Sequence, residues 1–365
     1  MKLLSLLHRW AGGLIGLLLA LLGLTGAILV WEPYWVTLPG ASDPVAENAA
    51  TIRGMVEQAG AEGELSRATF ANEEIGLHQL VHADGSGAYV RQDGAVADRW
   101  ASQWERPELW LFDLHHHLFA GHSGETVTGV AGIAGLLFVA TGIVLWWRGR
   151  RTFAPRLLPQ RLAPGPIVKH HRDLGIIVSP LLLLSLTTGV LMLFPKLDHA
   201  LLGAPKAALG RGIEPGELDR SVIARSLRAA KREFPDAQLR RITLPARPGQ
   251  EIIVRLRQPF EWTPNGRTQL SFDPATGALL DVQDPAAADS GAAIREKFYP
   301  LHSAKVGGAA MKVLMTFSGL SLAMLGGLAT YSFWSPRPLK PRRLRRAGNP
   351  LVPATKIAIS ASSNK

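Results

Sequence analysis

Four stretches of the chain are apolar for about twenty residues each, the length a helix needs to cross a lipid bilayer. They fall at roughly 10–31, 127–147, 174–194 and 311–333. Between them the pattern shortens to the period of strands and small amphipathic helices. The first intervening segment predicts a helix over 45–60 and strands near 65–71, 75–82 and 87–91. Ala83-Asp84-Gly85-Ser86-Gly87 reads as a hairpin turn. Residues 100–113 set Trp100, Trp104 and Trp110 among Glu105 and Asp113, which predicts an amphipathic stretch at the membrane surface. The second segment predicts a helix over Leu218–Phe234, then strands at Gln238–Leu244, Glu251–Gln258 and Arg267–Phe272. After the hairpin loop Asp273-Pro274-Ala275-Thr276-Gly277 comes a return strand, Ala278–Val282. The expected fold is an α-helical membrane protein with four transmembrane helices and two small α/β modules.

The apolar runs repeat. His8-Arg9 leads the first and His171-Arg172 the third, and each histidine lies 17 residues before a threonine-glycine pair, Thr25-Gly26 and Thr188-Gly189. Gly12 and Gly175 both stand four residues after their histidine. Leu114-His115 precedes the second run and Leu301-His302 the fourth, with Gly121 and Gly308 six residues after the histidine. The chain therefore reads as two parallel-topology repeats, related by an axis along the membrane normal. Its segments are 1–31, 127–147, 173–194 and 306–335 as helices, 32–126 and 195–305 as outside modules, 148–172 as a loop and 336–365 as a tail.

The net charge of +11 is concentrated at one side. The loop 148–172 holds Arg148, Arg150, Arg151, Arg156, Arg161, Lys169 and Arg172 without an acid, and the tail holds Arg337, Lys340, Arg342, Arg343, Arg345 and Arg346. Basic short loops stay in the cytoplasm. Both termini are expected there, with 32–126 and 195–305 on the outside. A charge distributed this way argues against nucleic-acid binding; the surrounding partner is membrane lipid. The first run ends in Trp31, Tyr34 and Trp35 instead of a small-residue cleavage site, so it reads as a retained helix. With no cysteine in the sequence, iron–sulfur clusters, thiolate zinc and thioether-linked haem are excluded.

The histidines carry the candidate chemistry. The repeat axis sets His8 against His171 near the cytoplasmic face and His115 against His302 near the outer face. Two facing imidazoles are the axial ligand set of a six-coordinate haem iron, so two haems are expected, about 25–30 Å apart. Arg9, Arg172 and Lys305 are candidate partners for haem propionates. His116, His117 and His170 adjoin these histidines and are alternates through a shift in helix rotation. Glycines along the helices leave room for a flat macrocycle. His78 and His82 share a strand face, but with no third ligand beside them they read as structural. No catalytic side chain is assigned.

Taken together, His8-Arg9-x-x-Gly with Thr25-Gly26, Leu114-His115-x-x-Leu-x-x-Gly121, Thr141-Gly142 with Trp146-Trp147, and Phe272-Asp273-Pro274-x-Thr-Gly277 resemble the PepSY-associated transmembrane helix family. Its members include inner-membrane ferric-siderophore reductases, ferrioxamine reductases among them. The resemblance spans about 1–335. It implies a four-helix membrane core, periplasmic PepSY-type modules, bound b-type haems, and delivery of electrons from the cytoplasm to a periplasmic ferric siderophore. The chain has no nicotinamide or flavin motif, so the donor is expected to be a cytoplasmic partner or a membrane quinol. The sequence departs from the family where helix 4 carries Gly326-Gly327 in place of Thr-Gly, and the first module lacks the Asp-Pro-x-Thr-Gly hairpin. Two other functions compete: a membrane-anchored binder of a periplasmic peptidase or envelope partner, and a component of siderophore transport.

Overall fold

The computed structural model describes residues 2–46, 49–62, 64–203, 220–247, 249–286 and 290–335. The expected basic tail, 336–365, lies outside these residues, as does 204–219 in the second module. Helix α1 (Lys2–Leu29) opens the fold. It starts before the apolar run, because Leu3, Leu4, Leu6 and Leu7 are strong helix formers with no breaker among them. His8 is therefore a helical residue. A single turn, α2 (Glu32–Trp35), follows, then α3 (Ala49–Glu62) and strands β1 (Leu65–Thr69), β2 (Leu77–His82), β3 (Gly87–Arg91) and β4 (Val96–Trp100). Helix α4 (Pro107–His117) carries the three consecutive histidines and leads to the long α5 (Gly121–Gly149).

The second half repeats this order. Helix α6 (Pro164–Leu193) starts on a proline in its first turn, where no amide hydrogen is needed, and runs on through Pro180. It thus takes in His170 and His171, which the apolar pattern alone leaves outside. Then come α7 (Pro195–Leu202), α8 (Arg220–Glu233), strands β5 (Gln238–Thr243), β6 (Ile252–Arg257), β7 (Thr268–Phe272) and β8 (Leu279–Gln283), the short α9 (Ser290–Arg295) and α10 (Phe298–His302), and α11 (Gly308–Trp334). Four helices, α1, α5 with the turn after it, α6 and α11, are long and apolar enough to cross a membrane. The chain is a multi-pass membrane protein with an antiparallel sheet.

The strands expected in two modules form one sheet, in the order β4-β3-β2-β1-β5-β6-β7-β8. The halves join where β1 pairs antiparallel with β5, Ala68 opposite Ile242. One face is covered by α3 and α8, whose Ile52, Val56, Val222 and Leu227 share a core with Ala68, Ile242, Val254 and Leu270. The other face carries the alternate, polar residues of the same strands. Strand β4 lies outside the expected strands, and it removes Trp100 from the surface stretch proposed for it. Trp100 is buried, packs at 5.2 Å on Tyr89 and donates to the Gly85 carbonyl at 3.1 Å. Trp104 does remain exposed, against Phe119.

Glycines bring the first and last membrane helices together. Gly16 and Gly23 of α1 meet Gly326 and Gly319 of α11, and a Cβ on Gly23 would stand 2.5 Å from the Gly319 carbonyl oxygen. Small residues at this spacing allow backbones to touch where lipid gives no hydrophobic drive for helix association. Gly16, one of the glycines expected to leave room for a macrocycle, leaves it for a helix.

Candidate functional site

The structure brings the sequence-selected histidines together in two places. At the end of the bundle away from the sheet, the ring centres of His8 on α1 and His171 on α6 are 6.1 Å apart, with planes at 88°. At the sheet side, His115 on α4 and His302 on α10 are 6.3 Å apart, at 50°. A first-row metal binds an imidazole nitrogen at about 2 Å and the ring centre lies about 1 Å behind it. Two rings on opposite sides of one such ion therefore have centres about 6 Å apart.

Three of the rings are held by Nδ1. Thr141 Oγ1 on α5 lies 2.8 Å from His8 Nδ1, and Thr25 Oγ1 on α1 lies 2.9 Å from His115 Nδ1. His302 Nδ1 donates to the Ser185 carbonyl at 2.9 Å, with Thr188 Oγ1 at 3.2 Å. The threonine hydrogens are already committed: Thr141 donates to Leu137 O at 2.7 Å, Thr25 to Leu21 O at 2.9 Å and Thr188 to Leu184 O at 2.7 Å. The hydroxyls can only accept from the rings. Nδ1 then carries the hydrogen and Nε2 keeps its lone pair, the tautomer a metal requires, fixed by the group behind the ligand. The fourth ring, His171, lies near the backbone of Leu325 on α11 instead of a threonine hydroxyl. Burial and the neighbouring His302 and His116 push the His115 imidazole down to about 3, and burial also lowers His302, so both are neutral.

The threonine-glycine pairs thus act as sockets. At the outer pair the glycine after the threonine faces the held ring: a Cβ on Gly26 would stand 3.1 Å from His115 Cε1, and one on Gly189 3.0 Å from His302 Cε1. The four echo glycines differ. Gly12, Gly175, Gly121 and Gly308 have no atom within 4 Å of a Cβ position. Each follows its histidine by about one turn or a short connection, and Gly121 and Gly308 are exposed. Gly121 and Gly308 are left-handed (φ 52° and 58°), as are Leu118 (φ 49°), Phe119 (φ 59°) and Ala304 (φ 54°). Non-glycine residues in that region cost about 1–3 kcal/mol each, and such strain gathers at functional sites.

The donor set fits a haem. Among the described residues no three histidine or carboxylate side chains converge as a metal cluster. A site offering two opposed imidazoles suits an ion that brings its other ligands with it, as a porphyrin iron does.

The alternates make other contacts, and the buried Nε2 of His170 has no hydrogen-bond partner. His116 stacks flat on Phe112 at 4.4 Å, and its centre is 6.1 Å from that of His115, its neighbour on the same helix. His117 Nδ1 binds Asp113 at 2.9 Å. His170 is fully buried with Nδ1 on the Arg156 carbonyl at 3.2 Å. His78 is a core residue that accepts from the Ala71 amide at 3.0 Å, and burial pushes it down to about 4.

The proposed propionate partners have protein partners that the sequence reading missed. Arg172 and Arg156 both reach the buried Asp173, Arg172 at 2.7 Å, and Arg172 also binds Thr152. Lys305 Nζ is 2.7 Å from Glu74 in the β1–β2 loop. The Arg9 guanidinium lies 5.9 Å from the centre of the Phe333 ring. Asp173 follows directly on His171-Arg172, a signal present in the sequence; Glu74 carries no signal of its own.

No curated protein matches the chain in sequence. The profile of the PepSY-associated TM region matches residues 5–335. That stretch takes in all four ring-bearing helices, their sockets and both halves of the sheet, and the chain belongs to the PepSY-associated TM family.

Proposed function

We propose that the protein is a di-haem b-type electron conduit of the bacterial inner membrane, which reduces a ferric siderophore on the periplasmic side and releases Fe(II). One observation carries the reading: two imidazole pairs, each at the spacing of a shared ion, one pair at either end of the bundle. The two parallel-topology repeats explain it. Each ring meets a helix of its own half, α1 with α4–α5 and α6 with α10–α11, three of them by a hydrogen bond, while each pair joins opposite halves.

His8 and His171 would hold the haem at the cytoplasmic end, and His115 and His302 the one at the periplasmic end. Bound haem supplies one-electron transfer, which no side chain of this chain provides. The protein's residues would fix the ligand tautomer at three of the four rings, with the two sites about 25–30 Å apart across the bilayer. Arg9 and Arg172 border the inner pair, and Lys305 the outer. The Fe(III) of the chelate takes one electron, from a quinol or cytoplasmic donor, and as Fe(II) is held less tightly by hard oxygen ligands. An anchor for a periplasmic partner would have no use for the paired rings.

The test is a pyridine haemochrome assay on the purified protein with haem counted per chain. The expected result is two haems and a Soret band that shifts with dithionite. His171→Ala is expected to remove one haem and leave the spectrum of the other. A colourless, folded protein overturns the reading.

A further inference from the structure

The sheet face opposite α3 and α8 carries a ladder of arginines. Arg241 on β5 is directly opposite Arg255 on β6. Arg67 on β1 lies two residues from Thr69, the partner of Arg241, and Arg267 lies two residues from Gln269, the partner of Arg255. All four are half-buried, so water screens them poorly. Like charges placed opposite each other across strands destabilise a sheet. A fold normally answers this with carboxylates, and here it does so only at the margin: Arg240 and Arg257 share Glu73, at 2.7 and 3.0 Å.

Among the described residues, none of the four ladder arginines forms an ion pair. Arg255 has a long bond to Gln269 at 3.4 Å, and the buried Nε atoms of Arg67, Arg241 and Arg267 have no hydrogen-bond partner. The carboxylates nearest Arg267 are committed to backbone. Glu261 accepts from the amides of Arg267 and Thr268, and Glu296 from those of Trp262 and Thr263. Burial and mutual repulsion hold Arg241 down to about 9 and Arg255 to about 10. Unpaired donors crowded at this density lack a multivalent acceptor.

The ladder is also placed at the outer histidines. Arg241 and Arg267 both lie near Tyr299 of α10, three residues before His302 on the same short helix. We propose that this sheet face binds a small polyanion bearing several carboxylates, and, resting on the electron-conduit reading, that its ligand there is a negatively charged ferric polycarboxylate chelate presented to the His115–His302 site. Guanidinium forks match carboxylates in pairs, and several of them would set both the affinity and the orientation of such a chelate.

The experiment is equilibrium dialysis of the full chain in neutral detergent against ferric citrate, with an uncharged ferric trihydroxamate as control. The expected result is at least a tenfold preference for ferric citrate. In Arg241→Gln/Arg255→Gln that preference falls at least tenfold, while the Soret spectrum is unchanged and the melting temperature is equal or higher, because repulsion has been removed. Unaltered citrate binding in the variant overturns the proposal, and so does a lower melting temperature, which would make the arginines structural. Nanodiscs containing anionic lipid supply the last arm: competition there against citrate assigns the ladder to headgroups and overturns it as well. A protein that proves colourless yet binds citrate through these arginines refutes the electron conduit and supports the anion site.

Discussion

Replacing Thr141 by valine keeps the shape of the side chain and removes the acceptor that His8 Nδ1 uses at 2.8 Å. Groups of this kind behind a metal ligand are worth about 10–100-fold in metal affinity. Thr141→Val is therefore expected to lower haem content from two per chain towards one, and Thr141→Ser to retain both, as read by haemochrome assay. At the sheet side, Glu32 gives a pH signature. Burial, opposed by Lys305 and reinforced by Glu74 and Glu108, pushes its carboxyl up from 4.5 to about 7. Between those values the folded protein binds more protons than the unfolded one, so stability falls as pH rises through the window. The buried histidines act in the opposite sense, so the check is a difference: from pH 5 to pH 8 the unfolding midpoint of Glu32→Gln should rise relative to that of the unaltered protein. The facing of His8 with His171 and of His115 with His302 was legible in residue spacing, because equal offsets on helices of equal pitch reach equal depths. The sockets were written there too, as Thr-Gly, but spacing does not say which ring a threonine on another helix will meet.

Helices and strands were legible where their period was unbroken and lost where neighbours decide. The extension of α1 back to Lys2 and the early start of α6 rest on leucines and on an N-terminal proline, not on continuous hydrophobicity. Strand β4 reads Val-Ala-Asp-Arg-Trp with mostly unburied residues, and it exists because β3 offers it a free edge. At this scale the close approach of α1 to α11 makes a sharp prediction. Gly319→Val would place methyl groups against the Gly23 carbonyl and Ala27, and the two helices would have to separate. Because α1 bears His8 and the socket of His115, both haems should be lost together from the variant. Ala140→Val, at an exposed position on α5, serves as the control and should keep both.

Across the whole molecule the sheet and the membrane helices are tied by Lys305 and Glu74, a 2.7 Å pair in which the lysine is 7% exposed. Removing one partner of a buried pair leaves the other charge uncompensated, at a cost of about 3–5 kcal/mol. Lys305→Met should lower the melting temperature clearly, and Lys305→Met/Glu74→Leu should recover part of the loss. The joining of two modules into one sheet was not legible, since each has a complete strand pattern of its own and the β1–β5 register is set only in three dimensions. That seam has a genetic consequence. A chain severed in the connection between α5 and α6 would give two polypeptides, each with one imidazole of every pair and a raw strand edge open to promiscuous aggregation. Expressed singly, the fragments should be pale and insoluble; expressed together, they should find one another at β1 and β5 and regain the colour of the parent.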